Sequence, residues 1–100
     1  MKIIKALIEK IDDELADAEK YIDCAYKVRD EYPDLSTIYF RLSKEEMGHM
    51  QTLHDQVVRF IDAYQKEHET PSDMKVLYDY LHERQVEWAM EIEFKQKNYK

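Results

Sequence analysis

Apolar side chains recur at gaps of three and four residues along almost the whole chain, and prolines break that rhythm at two points only, Pro33 and Pro71. Such gaps are the period of an amphipathic α-helix. The first run comprises Ile3, Ile4, Leu7, Ile8, Ile11, Leu15, Ala18, Tyr21, Ile22, Ala25 and Val28. It predicts a helix over residues 2–31, because the residue before Pro33 is pushed out of the α region. The second run, Leu35, Tyr39, Leu42, Met50, Leu53, Val57, Phe60, Ile61 and Tyr64, predicts a helix over 34–69 with Asp34 as its N-cap. Thr70-Pro71-Ser72-Asp73 then reads as a capping-box-like start, with Thr70 at the N-cap and Pro71 at the first helical position. A third helix follows over 71–97 and is expected to bury Met74, Leu77, Tyr78, Leu81, Trp88, Ala89 and Ile92. One glycine in 100 residues leaves no material for the turns of an all-β chain, and that length suits one domain. The expectation is a single all-α domain over 1–100, three long antiparallel helices joined by short loops.

Charge narrows the partners. Acidic residues outnumber basic ones 22 to 15, for a net charge of −7, and the excess holds in each of the three segments. A nucleic-acid binder draws its affinity from Lys and Arg on phosphates, and no basic stripe exists here. No run of apolar residues is long enough for a membrane span. The opening Met1-Lys2-Ile3-Ile4-Lys5-Ala6-Leu7-Ile8-Glu9-Lys10 is broken by charge too often for a secretory signal. Cys24 is alone, so neither a disulfide nor a thiolate metal site can form within the chain. A cytoplasmic address is the expectation.

Two acids interrupt the apolar stripes. At 100° per residue, with Glu14 at zero, Ile3 and Tyr21 fall at about −20°, Leu7 and Ala25 at about 20°, and Ala18 at about 40°. With Glu46 at zero, Leu35 and Leu53 fall at about −20°, Tyr39 and Val57 at about 20°, Met50 at about 40°, and His49 at about −60°. Both carboxylates therefore lie within an apolar stripe, and burying them unpaired costs several kcal/mol. Glu14 lies about 28 Å from the Pro33 loop along its helix, and Glu46 and His49 about 20 to 25 Å along theirs, so the three share a level. Two explanations satisfy the acids: a bound cation, or hydrogen bonds from some of the eight tyrosines. Glu46-Met47-Gly48-His49 sets Glu and His at i and i+3, a metal-ligand spacing. Twelve Glu and four His would give about 0.5 such matches by chance, so the weight rests on the facing of Glu14 rather than on the motif. Asp79-x-x-His82 points away from its apolar face, at about 160° and 100° from Leu81, and reads as solvated surface.

The span Glu14-Leu15-Ala16-Asp17-Ala18-Glu19-Lys20-Tyr21, together with Glu46-Met47-Gly48-His49, resembles the first helical hairpin of the ferritin-like di-iron carboxylate proteins, nearest to rubrerythrins and the short encapsulated ferritins. The likeness covers about residues 3–65. It implies Glu14 as the first-helix ligand, Glu46 as a bridging ligand, His49 as a terminal ligand and Tyr21 as a partner behind Glu14. It implies iron as the metal, with manganese or zinc as alternatives, and ferroxidase-type oxidation of Fe(II) by O₂ or peroxide in iron handling or oxidative-stress protection. A full ferritin-like bundle carries two such half-sets on four helices. This chain carries one, so the resemblance implies a four-helix site completed by a homodimer or a higher even-numbered oligomer. Rubredoxin-type cysteines and an encapsulin-targeting tail are both missing from the sequence. The alternative is a helical assembly protein whose metal is structural or absent.

The remaining residues read more plainly. Cys24, Met47, Met50 and Trp88 suit packing, and His54, about 80° from Glu46, suits the edge of the apolar face with a local hydrogen bond. Tyr39 and Tyr64 share the stripe of Glu46. Gly48 falls on an outer helix face, where close approach by another chain would explain it. Glu91, level with Glu46 but about 80° off its helix's apolar face, is the residue that could close the site within one chain, with Lys95 at i+4 as its alternative partner.

Overall fold

The computed structural model describes residues 2–69 and 71–100, Ser72 by its backbone alone. Its elements are α1 (Lys2–Val28), α2 (Pro33–Glu67) and α3 (Ser72–Lys97), and no strand occurs among the described residues. The helices form a rod of 55 × 18 × 18 Å.

Neither proline takes the position expected of it: α2 starts earlier than residue 34 and α3 later than residue 71. Tyr32, with φ −133° and ψ 69°, takes the N-cap position of α2, and Pro33 is the first helical residue. The fixed φ of proline suits that position, and its missing N–H is one the helix would leave unpaired anyway. Asp34 is thus not the cap but an acid in the first turn, where it faces the positive end of the helix dipole. α1 ends at Val28 instead of residue 31, residues 29–31 form a turn, and the Tyr32 N–H donates to the Val28 carbonyl at 2.8 Å. Pro71 occupies the cap position of α3 with ψ 138°, not the first helical position. Thr70, expected to cap α3, lies outside the described residues.

α1 packs along the whole of α2, and α3 lies mainly against α1. Ile4, Ile8, Ile11, Leu15 and Ala18 of α1, Met47, Met50 and Val57 of α2, and Ile92 of α3 form the buried core. Leu7, Leu53, Ile61, Tyr78, Leu81, Trp88 and Ala89 pack at its edge.

Buried polar side chains fix how the helices meet. The Ser36 hydroxyl donates to the Ala25 carbonyl at 2.6 Å, and the Ser43 hydroxyl to the Ala18 carbonyl at 2.7 Å. A step of seven residues along α2 thus matches a step of seven back along α1. Gln96 Nε2 donates to Ser43 Oγ at 2.8 Å, and Gln85 Nε2 donates to the Ile8 carbonyl and to Asp12 Oδ1, each at 3.0 Å. Lys95 Nζ pairs with Asp23 at 2.9 Å, while the Tyr26 hydroxyl donates to the Lys95 carbonyl at 2.6 Å. These bonds set the register of α3 on α1 and, through Gln96 and Ser43, on α2.

Four residues expected in the core are exposed: Ile3 (49%), Leu35 (39%), Phe60 (40%) and Leu77 (52%). α3 alone covers the α1–α2 hairpin, and from one side only. The first three of these residues lie on the side left open.

Candidate metal centre

Glu14 comes from the middle of α1 and Glu46 from the middle of α2, held level by the register of the serine bonds. Their side chains are 13% and 19% exposed. His49, one turn beyond Glu46, places Nδ1 3.6 Å from Glu14 Oε2 and 3.6 Å from Glu46 Oε2. One ligand atom from each of the three lies within 4.8 Å of the others, and no other group of three His, Cys, Asp or Glu among the described residues is gathered so closely. The three residues singled out in the sequence therefore do converge.

Their setting differs from the expected one in one respect. Asp12 and Asp23, whose side chains reach α3, lie about 160° and 180° round α1 from Glu14. The cluster consequently sits at the margin of the core, on the face of the hairpin turned away from α3, rather than at the centre of a buried stripe. His49 is 62% exposed there.

Electrostatics within the cluster are those of crowded acids. A hydrogen bond with Glu14 is the main cause that raises the Glu46 carboxyl above its ordinary value. Burial and the negative charges of Glu14 and Asp17 push the same way, and His49 opposes them. The nearest fixed cation is Lys10, with Nζ 3.9 Å from Glu14 Oε1 and its own side chain 59% exposed. Such a pair contributes little in water. Two carboxylates and an imidazole without thiolate suit a divalent transition ion such as iron, manganese or zinc.

The aromatic residues divide. Tyr21 and Tyr39 hold their rings 6.1 Å apart, seven residues from Glu14 and Glu46 respectively, so they stand together on the loop side of the cluster. Tyr64 instead stacks on His68 at 4.7 Å. Glu91 is exposed on α3, where its charge acts on Lys95, and it is not part of the cluster.

Several residues outside the cluster behave in ways the sequence did not convey. His82, expected to be solvated surface, is exposed yet stacks on His54 at 5.1 Å, and this contact ties α3 to α2. Asp79 is solvated, paired with Lys75 at 2.9 Å. Gly48 is exposed with nothing within 4 Å of where a Cβ would stand. No helix among the described residues is long and apolar enough to cross a membrane. No protein-family model, curated protein or solved structure matches the chain.

Proposed function

We propose that Glu14, Glu46 and His49 are half of a di-iron carboxylate centre, completed by the same three residues of a second copy of the chain related by a two-fold axis. The observation that carries this reading is the pairing of two mostly buried carboxylates from different helices, one of them raised in pKa by the other, beside an imidazole and with only an exposed lysine nearby. A metal ion would compete with protons for the two carboxylates, so its binding should weaken as the pH falls. Two copies would bring four carboxylates and two imidazoles to two metals, a set that balances most of their charge.

The hairpin face around the cluster suits the second copy. Ile3, Leu35, Ile38 and Phe60, all about 40% exposed or more, lie along α1 and α2 about 12 to 21 Å from the acids. A two-fold contact buries the same patch twice, and it would supply the missing two helices of a four-helix bundle. Iron bound there would supply the Fe(II)/Fe(III) couple that passes electrons to O₂ or peroxide, which is ferroxidase-type activity. The chain's own part is to bind through Glu14 and Glu46, to present the His49 imidazole from the exposed rim, and to wall the loop side with Tyr21 and Tyr39.

Metal analysis and oxygen uptake after Fe(II) addition test the proposal together. The wild-type chain should hold about one iron per chain and consume oxygen on addition of Fe(II). Glu46→Ala should abolish both and His49→Ala should weaken binding strongly. Iron content unaffected by both substitutions would overturn it. Normal iron content without oxygen uptake would favour the second reading, an assembly protein with a structural metal, which the open apolar face also accommodates.

A further inference from the structure

α3 carries a second apolar stripe that its own core does not use. Measured from Leu81 on the inner side, Val86 lies at about 140°, Met90 at about 180° and Phe94 at about 220° round the helix. They are 42%, 63% and 69% exposed, with Met90 and Phe94 turned away from Ile92, by which α3 is seated, and with Val86 and Met90 also edging the groove that α3 forms with Met50 and His54 of α2. Glu83 and Lys97 flank them on the same stripe, at about 200° and 160°. Both are exposed, and neither is paired with any described residue.

Toward the start of α3 the stripe runs on through Asp79 and the exposed Val76, at about 160° and 220°. Over residues 83–97 its order is Glu83, Val86, Met90, Phe94, Lys97, with gaps of three, four, four and three. That spacing reads the same in both directions about Met90, and the charges at its two ends are opposite. A stripe of this kind is complementary to itself when two helices lie antiparallel. With Met90 on the two-fold axis, Val86 of one copy meets Phe94 of the other, and Glu83 of one meets Lys97 of the other, at both ends. A parallel arrangement would set Glu83 on Glu83 and Lys97 on Lys97. The stripe spans about 21 Å, long enough to seat a helix of equal length.

We infer that the outer face of α3 is a self-association surface, an antiparallel two-fold contact with α3 of a second copy of this chain. The charge complementarity selects the chain itself over an unrelated partner, for which a stripe symmetric about its own centre has no use. The contact is separate from the hairpin face that carries Glu14 and Glu46, and it stands whether or not that face binds metal. Where both faces pair, each chain has two different two-folds, and assembly extends past a dimer. One helix stripe is small against a standard interface, so this contact is the weaker of the two.

Charge reversal on the full-length chain tests the pairing, with mass read by light scattering and metal content read in parallel. Glu83→Lys places two positive charges opposite each other at each end of the contact, and Lys97→Glu places two negative ones. Each single substitution should at least halve the assembly mass, and the double substitution should restore it. Metal content should be the same in all three, because the hairpin face is untouched; a loss confined to Glu46→Ala would separate failure of the site from failure of this contact. A mass indifferent to the single reversals, or a double variant that fails to reassemble, overturns the inference and leaves the stripe to a different protein.

Discussion

Glu46 is the residue where fold and chemistry conflict most directly. Its carboxyl is raised because a hydrogen bond with Glu14 favours the neutral form and because ionising it sets like charges side by side in a half-buried site. A carboxyl raised in the folded state contributes stability at low pH that is lost as the pH climbs through the folded value. The metal-free chain should therefore become less stable as pH rises beyond the ordinary carboxylate value of 4.5, and Glu46→Gln should remove that part of the slope in thermal melts. Added Fe(II) or Mn(II) should reverse the trend in the wild type alone, since the ion needs the ionised carboxylates. Ser43 is the opposite case, a small residue with a purely positional task. Ser43→Ala removes its bond to the Ala18 carbonyl and leaves the buried Gln96 amide without its acceptor, at a cost of about 1–3 kcal/mol by denaturant unfolding. Because Ser43 lies one turn from Glu46, the same variant should also weaken metal binding more than an equally destabilising change such as Ile92→Val.

At the scale of the helices, what was legible in the sequence is what periodicity and proline can encode. Three helices, their order and the convergence of Glu14, Glu46 and His49 all follow from spacing. The depth of each residue did not, because a helical wheel finds the mean of an apolar stripe and not which edge of it a neighbour covers. Glu14 and Ile3 share a stripe with Leu15 and Ile22, yet α3 covers the Leu15 edge and leaves the other open. Ser36, Ser43, Gln85 and Gln96 escaped notice because they are polar, and a polar residue shows its burial only when its partner is known. The same packing makes α3 uneven. Ile92 and Gln96 are buried toward its C-terminal end, whereas Val76, Leu77 and Tyr80 are more than half exposed near its start. Amide hydrogens over residues 75–81 should exchange faster than those over 89–95 and faster than those of α1, as measured by mass spectrometry. A uniform exchange profile along α3 would contradict that gradient.

The whole molecule is a rod whose two long sides differ. One side of the hairpin seats α3, and the other presents acids and apolar residues to solvent, a pattern that a lone chain has little reason to keep. Light scattering should give a mass of at least twice 12.2 kDa. Glu91, exposed beside Lys95, takes no part in the cluster, so Glu91→Gln should leave iron content and oxygen uptake close to wild type. Loss of iron from that variant while it stays folded would mean that the site is built within one chain after all.

The paired serine bonds at Ser36–Ala25 and Ser43–Ala18 have a consequence for how the chain can vary in length. Both arms of the hairpin are metered in sevens, and Glu14 with Glu46 and Tyr21 with Tyr39 keep the same count. Removing seven residues from each arm between the acids and the loop would shorten the hairpin and still leave Glu14 facing Glu46. Removing one residue from either arm would swing everything beyond it by about 100° and part the two acids. Length in this hairpin can be traded by whole heptads taken from both arms at once, and by nothing smaller.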